Sequence, residues 1–297
     1  MSSAVTTWDK KSPDMEEMVR WRDAWLEDKP LNTTRSYKGI TDRFIVFLAE
    51  GNEFINPMDA VNKYLMSRRK AGNKDSTIRK IKIGMRSFLS YLEREQRLPE
   101  GTARKLKVGT AKAAIKERTL DKTRRLKLSE CAINPTLALI LRTLYGTGMR
   151  TSECLTIERA TLKSPEEAAP DQSHGSCVVV GKGGVRRTIY TKACLIQELK
   201  DHGPKNHAHV FTTKTGTPLQ YSTVHRWLKQ TKEGARLADS GISPHWWRHA
   251  HASDSLRNKA PINVLSRTLG HQQLSTTALY LHAAETSTSA SYLSDSE

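Results

Sequence analysis

The sequence has no apolar run near the roughly 18 residues that a bilayer span needs, which excludes a membrane-spanning helix. Its first residues, MSSAVTTWDKKS, lack the basic stretch followed by an apolar core that marks a secretory signal. The four cysteines (Cys131, Cys154, Cys177, Cys194) form no CxxC pair, so neither a disulfide framework nor a zinc knuckle is indicated, and they read as reduced thiols. No HExxH signature and no cluster of carboxylates able to hold Mg²⁺ is present. The expectation is a soluble intracellular protein with no metal and no cofactor.

Positive charge is what the chain has in excess. Lys plus Arg total 48 against 31 Asp plus Glu, a formal charge of +17 over 297 residues, with a pI near 9.8. Such a bias favours a polyanionic partner, nucleic acid first, over a merely sticky soluble protein. The length suits one large or two ordinary domains, and two is the expectation.

Residues 1 to about 13 are polar and read as frayed. MEEMVRWRDAWL carries apolar side chains at three- and four-residue steps, a helix. A second helix, capped by Thr33 or Thr34, bears Tyr37, Ile40, Phe44, Ile45, Phe47 and Leu48 and ends at Gly51. A third follows Asn56-Pro57, and a fourth runs from Asp75-Ser76-Thr77 to about Arg97, stopped by Pro99 and Gly101. Arg68, Arg69, Lys70, Lys74, Arg79, Lys80 and Lys82 gather where the third and fourth helices meet; they are either a solvated face or a phosphate-contacting surface. From 101 to 130 there are ten Lys/Arg, including Lys105, Lys107 and Lys112, against three Asp/Glu, a local +7. With weak apolar periodicity, that stretch reads as a basic linker able to follow a phosphate backbone.

Beyond about residue 118 the pattern changes. Leu137, Leu139, Ile140, Leu141 and Leu144 mark a buried helix ending at Tyr145-Gly146-Thr147-Gly148, with another beginning near Thr151. Cys177 to Val180, the turn Gly181-Lys182-Gly183-Gly184, and Val185 to Tyr190 read as a hairpin. Helical patterns broken by Gly or Pro at 234, 241, 244, 261 and 270 fill the rest.

Four segments stand out: TGMRTSE (147–153), VGKGGVRR (180–187), PHWWRHAHAS (244–253) and LGHQQLSTTALYLH (269–282). Arg150 sits where a Gly-rich turn meets a helix, placed to hold an anion or to pair with Glu153. Lys182 at a hairpin tip is either a solvated turn residue or a functional one. After the helix-starting Pro244, His245 and Arg248 share one helical face, joining a proton carrier to a guanidinium that can fork two phosphate oxygens. His245, His249 and His251 also admit a metal reading, though a convincing third ligand is missing. Trp246 and Trp247 read as core. Gly270 breaks a helix, His271 follows, and Ser275 caps a short helix carrying Tyr280, a residue type able to act as a covalent nucleophile.

In order, Arg150, Lys182, His245 with Arg248, His271 and Tyr280, in the contexts TGMR, GKG, HxxRH and LGH with the tyrosine nine residues on, resemble the tyrosine recombinases, the family of phage integrases and Xer-type recombinases. Glu153 matches the family's acidic residue three after the first arginine. The resemblance is strong over 118–284 and weak over the four-helix front. It implies a mainly α (α+β) fold: a SAM-like four-helix core-binding domain over 1–108, a basic linker over 109–117, a mostly helical catalytic domain with a small antiparallel sheet over 118–285, and a tail over 286–297.

The resemblance also implies site-specific cleavage and rejoining of duplex DNA through a 3′-phosphotyrosyl link to Tyr280 and a Holliday junction. It implies a homotetramer on two sites, with accessory DNA-bending or directionality proteins as further candidate partners, in the cytoplasm at the nucleoid of a bacterium, phage or mobile element. Arg150 and Arg248 would meet the charge on the phosphate, His271 would donate to it, His245 would help deprotonate Tyr280, Lys182 would protonate the departing 5′-oxygen, and Glu153 would support them. A type IB topoisomerase-like enzyme, a non-cleaving DNA-binding regulator and a zinc nuclease using the histidines at 245–251 are the rivals. The tail AETSTSASYLSDSE offers only Tyr292 and Leu293 as apolar anchors for a neighbouring protomer.

Overall fold

The computed structural model describes residues 8, 13–50, 56–109, 120–168, 173–237, 241–271, 273–278 and 280. Gly51, expected to end the second helix, the candidate phosphate contact Lys112, most of the basic linker and the whole tail lie outside them. The chain divides into two compact units, Met1–Lys112 and Ala113–Glu297. Among the described residues it is mainly helical with one small antiparallel sheet, as expected. No helix among them is long and apolar enough to cross a membrane.

The first unit contains α1 (Met15–Leu26), α2 (Leu31–Ala49), α3 (Pro57–Lys70), α4 (Asp75–Arg94) and the short α5 (Thr102–Lys105). Asp14 starts α1 through a reciprocal cap with Glu17. Asn56 accepts from the Met58 N–H at the start of α3, with Pro57 in the first position, where its missing donor costs nothing. Three expectations need correction. α2 begins at Leu31, because Pro30 (φ −55°) already presets the first turn, and neither threonine caps it; Thr34 Oγ1 donates instead to the Lys29 carbonyl at 2.9 Å. α4 stops at Arg94, before Pro99, because Gln96 turns left-handed (φ 55°) and Arg97 N–H closes back on the Leu92 carbonyl at 2.8 Å. Trp8 is fully buried rather than frayed: its N–H donates to the Arg97 carbonyl and its ring tilts against Phe44.

Apolar side chains of α1 to α4 converge on one core. Trp25 packs on Phe88 at 5.0 Å and stacks on Tyr37 at 5.2 Å, while Phe44 meets Tyr64 at 5.3 Å. Leu98, Ala103 and Leu106 join the same core, so the chain after α4 is packed as far as Leu106. Arg69, Lys70, Lys74, Lys80, Lys105 and Lys107 are exposed, and Arg68, Arg79 and Lys82 are half-buried. Arg79 and Lys82 donate to the Gly109 and Lys107 carbonyls, which holds the segment 107–109 against α4.

The second unit contains α6 (Lys122–Glu130), α7 (Pro135–Thr147), α8 (Thr151–Leu155), α9 (Pro165–Ala168), β1 (His174–Val180), β2 (Arg186–Lys192), α10 (Ala193–Asp201), α11 (Tyr221–Gly234), α12 (His245–Arg257), α13 (Ile262–Leu269) and α14 (Leu274–Ala278). α7 is the central helix. Asn134 caps it, Pro135 opens it, and Leu137, Ile140, Leu141 and Leu144 sit in a core shared with Cys177, Val179 and Ile189 of the hairpin and with Trp247 and Ala250 of α12. The strands pair Cys177 with Ile189 and Val180 with Arg186 across the turn at 181–185. Cys154 and Cys177 are buried and Cys131 and Cys194 exposed, all four free.

Candidate active site at the Gly148 and Gly270 turns

Two left-handed glycines set the site. Gly148 (φ 64°) ends α7, and a Cβ there would meet His251 at 2.5 Å; Gly270 (φ 64°) ends α13, and a Cβ there would meet the Arg187 guanidinium at 2.9 Å. Both turns therefore need glycine twice, for backbone angle and for room. They aim the Gly148 and Leu269 carbonyls at one guanidinium: Arg248 donates to them at 2.7 and 2.8 Å.

Arg248 is 5% exposed. Burial, with Arg150 nearby, lowers its pKa to about 10, so it stays charged at neutral pH. Its Nη2 also lies 3.0 Å from His271 Nε2. Arginine can only donate, so Nε2 accepts and the imidazole is neutral, with its proton on Nδ1 facing Thr277 Oγ1 at 2.7 Å. Burial and the charges of Arg248, Arg150 and Arg187 lower the His271 pKa to about 4, consistent with that neutral form.

Arg150 occupies the N-cap of α8. Its N–H donates to Glu153 Oε2 at 2.7 Å, its Nη1 to Oε1 at 2.9 Å, and its Nη2 reaches the Gly270 carbonyl at 3.4 Å. Glu153, its side chain 3% exposed, also receives two bonds from Arg187, at 2.9 and 2.8 Å. Burial pushes the Glu153 pKa up, but hydrogen bonds from Arg187 and Arg150 outweigh it and hold the carboxylate below its ordinary range. Arg187 Nε donates to the Thr268 carbonyl at 3.2 Å, so this arginine ties β2 to the turn that carries His271.

Arg150, Gly181, Val185, Arg187, Gly270, His271, Gln273 and Thr276 line a cavity of about 550 Å³. Its charged lining is cationic, and Lys182 is placed by its backbone at the hairpin tip, between the lining residues Gly181 and Val185. His245 opens α12 with an exposed side chain. Partial burial first, and then the charges of Arg248 and Arg150, lower its pKa.

Tyr280 lies in a turn beyond α14, not on a helix capped by Ser275, which sits inside the five-residue α14. It is 4% exposed and packs with Ala252, Leu265 and Leu269. Its hydroxyl lies 2.8 Å from His249 Nδ1, and its ring lies parallel to His271 at 6.4 Å. Burial raises its pKa against the opposing pull of Arg248 and Arg150, so the phenol keeps its proton at neutral pH.

The structure thus gathers Arg150, Glu153, Arg248, His271 and Tyr280 in one place, with the Lys182 turn at its edge. The basic residues of the first unit, Arg68 to Lys107, belong to the other compact unit, and Lys112 lies outside the described residues. Two participants carried no role in the sequence reading. Arg187 had a readable signal: it shares the strand face of Ile189 and Thr191, and an arginine on a buried face needs a carboxylate. His249 was weighed only as a metal ligand with His245 and His251. It bonds Tyr280, whereas His251 bonds the Tyr145 carbonyl at 2.7 Å, and among the described residues no group of three His, Cys, Asp or Glu could hold a metal.

Arg150 and Arg187 bonded to one buried carboxylate, the buried Arg248, and Tyr280 with its ring parallel to His271 thus form one cluster beside a cavity with a cationic lining. The sequence matches the phage integrase family over residues 127–287. The chain belongs to that family, the tyrosine recombinases. Over 294 residues it is 27% identical to a tyrosine recombinase XerC from Rhizobium meliloti, covering 90% of this chain and 88% of the relative. Over 272 residues it is 25% identical to a tyrosine recombinase XerD from Halalkalibacterium halodurans, covering 86% and 88%. The fold resembles a lambda integrase dimer bound to a COC′ core site (TM-score 0.69, 14% identity, 94% of this chain and 80% of that one). It also resembles XerH bound to difH substrate in a pre-cleavage complex (TM-score 0.66, 17% identity, 90% and 81%).

Proposed function

We propose that this protein recombines duplex DNA at specific sites, with Tyr280 attacking a backbone phosphate seated in the cavity between the Gly148 and Gly270 turns. The observation that carries the reading is a cationic cavity lined by Arg150 and His271, with the buried Arg248 bonded to His271 and the Tyr280 ring parallel to it. In the transition state, negative charge grows on the non-bridging oxygens, where fixed cations act most strongly. Arg150 faces the cavity directly. Arg248 adds a second charge from behind, and His271, which now braces Arg248, would donate to the phosphate in its Nε2–H form. Glu153 and Arg187 hold Arg150 and the turn in place. Lys182, at the hairpin tip, would protonate the departing 5′-oxygen, and His245 would handle protons at the cavity mouth.

Phosphodiester energy is conserved in a 3′-phosphotyrosyl bond, so no nucleotide cofactor is required. The cations stand where other phosphoryl-transfer sites use metal ions, and cleavage is expected to survive excess EDTA. In this reading residues 1–108 form a core-binding domain whose basic face, Arg68 to Lys82 with Lys105 and Lys107, contacts phosphates. The segment 109–117 with Lys112 links it to the catalytic domain at 118–285, which the tail at 286–297 follows. Four protomers would exchange strands between two sites through a Holliday junction, with accessory DNA-bending or directionality proteins as further partners, in the cytoplasm at the nucleoid. The names of the similar structures support this: one is a lambda integrase tetramer bound to a Holliday junction (TM-score 0.68, 14% identity, 91% of this chain and 77% of that one).

The test is a plasmid carrying two copies of a site selected from random duplexes by binding. Deletion or inversion between the copies supports recombination. Relaxation of supercoils without exchange would place the protein with the topoisomerases instead, and binding without either would make it a regulator.

A further inference from the structure

Deprotonation of a buried tyrosine needs an acceptor within hydrogen-bond reach. Four described histidines of the second unit stand near the cationic cluster, and His251 among them is engaged with the Tyr145 carbonyl at 2.7 Å. His271 has both ring nitrogens engaged: Nε2 accepts from Arg248 and Nδ1 donates to Thr277, so it could take the proton only by releasing Arg248. His245 lies one helical turn before Arg248 and feels the charges of Arg248, Arg150 and Glu153. His249 has its Nδ1 2.8 Å from the Tyr280 hydroxyl, with the rings tilted at 42° and 5.6 Å apart.

We infer that His249, immediately after Arg248 on α12, is the catalytic base that takes the Tyr280 proton. The inference rests on the reading of Tyr280 as the nucleophile. As the Tyr280 oxygen bonds phosphorus, its O–H bond breaks and the proton passes to His249 Nδ1, giving an imidazolium. The bond from phosphorus to the 5′-oxygen breaks in the same step, and that oxygen takes a proton from the Lys182 side. In rejoining, the 5′-hydroxyl attacks and gives its proton back to Lys182, the bond from phosphorus to the Tyr280 oxygen breaks, and His249 returns its proton to that oxygen. Among the described residues, charged and titratable groups acting on the pair include Arg248 on α12, Arg150 at the start of α8, and His271 after α13. The arginines favour the tyrosinate and oppose a cationic imidazole, so the proton stays on the phenol until attack begins.

The experiment measures single-turnover adduct formation on a nicked suicide duplex carrying a selected site, from pH 5 to 9. Full-length wild type, Tyr280→Phe, His249→Asn, His249→Ala and His245→Asn are compared, with unfolding temperature and DNA affinity measured alongside. His249→Asn keeps a polar group at the hydroxyl but cannot hold a proton. It is expected to cleave about 10²-fold more slowly, the lower range for a general base, and to lose the acid limb of the pH profile, whereas His245→Asn, lacking a different proton carrier, should gain no extra rescue from a more acidic phenol at position 280. Placing 3-fluorotyrosine, a more acidic phenol, at position 280 should restore more activity in His249→Asn than in the wild-type background. That comparison is internal to the variant and holds even if His249→Ala folds poorly. A His249→Asn rate within twofold of wild type, or above it, with an unchanged pH profile would overturn the inference while leaving the nucleophile reading intact. An adduct persisting in Tyr280→Phe would instead bring down the nucleophile reading, and this inference with it.

Discussion

Replacing Arg187 with methionine tests the logic of the site's foundation. The Glu153 carboxylate is 3% exposed and takes two bonds from Arg187 at 2.9 and 2.8 Å, and the arginine is itself only 16% exposed. Removing one partner of a buried pair costs about 3–5 kcal/mol, because a charge is left without compensation. Arg150 still holds the carboxylate, so the lower end, about 3 kcal/mol, is expected. For a unit of this size about 2–4 °C is lost per kcal/mol, giving a fall of about 6–12 °C in the unfolding temperature of the second unit, followed by calorimetry. The pH dependence has a definite sign. The Glu153 pKa is lowered in the folded state, so its pairing stabilises above the ordinary value of 4.5 and is lost as pH falls through the folded value. The gap between wild type and Arg187→Met should therefore be full at pH 7 and narrow below pH 4.5. In a Glu153→Gln background the same substitution should cost much less, since the buried charge is gone. A fall of under about 2 °C at pH 7, or an equal cost in both backgrounds, would refute the reasoning.

Other predictions follow from single contacts. Gly148→Ala combines a left-handed φ with a Cβ 2.5 Å from His251 and should cost about 1–3 kcal/mol in backbone strain before any shift of α12 is counted; chemical denaturation of the second unit would show it. Phe88→Ala, at a fully buried position of the first core, should cost about 3–5 kcal/mol in the transition of that unit, read by Trp25 fluorescence. The His271 pKa falls from 6.5 to about 4 on folding, so the unfolded chain binds the extra proton and stability drops as pH falls from 6.5 towards 4. His271→Gln should flatten that part of the profile, and an unchanged slope would refute the assignment.

Much of the fold could be read from punctuation. Asn56-Pro57 and Asn134-Pro135 start helices where they stand, Gly148 and Gly270 end them, and Gly181-Lys182-Gly183-Gly184 forms the hairpin turn. Where tertiary contact decided, the sequence misled: Trp8 is anchored by Phe44, and α4 ends through the backbone of Gln96 rather than at Pro99. The site divides in the same way. Arg150 and Glu153 interact over three residues, so their spacing announces them. Arg187 reaches Glu153 across 34 residues and His249 reaches Tyr280 across 31, and such pairings exist only once the fold brings the elements together. The strand alternation that puts Arg187 on a buried face was the one hint available.

The central claim is that Tyr280 forms the covalent bond to DNA. Its most direct test is peptide mapping of the adduct trapped on the suicide duplex, with the chemistry of the released end determined and Tyr280→Phe as control. The account predicts one DNA-bearing peptide, linked through Tyr280 to a 3′-phosphate with a free 5′-hydroxyl released, and none in the variant. A link through another residue, a 5′-phosphate attachment, or an adduct that survives in Tyr280→Phe would contradict it.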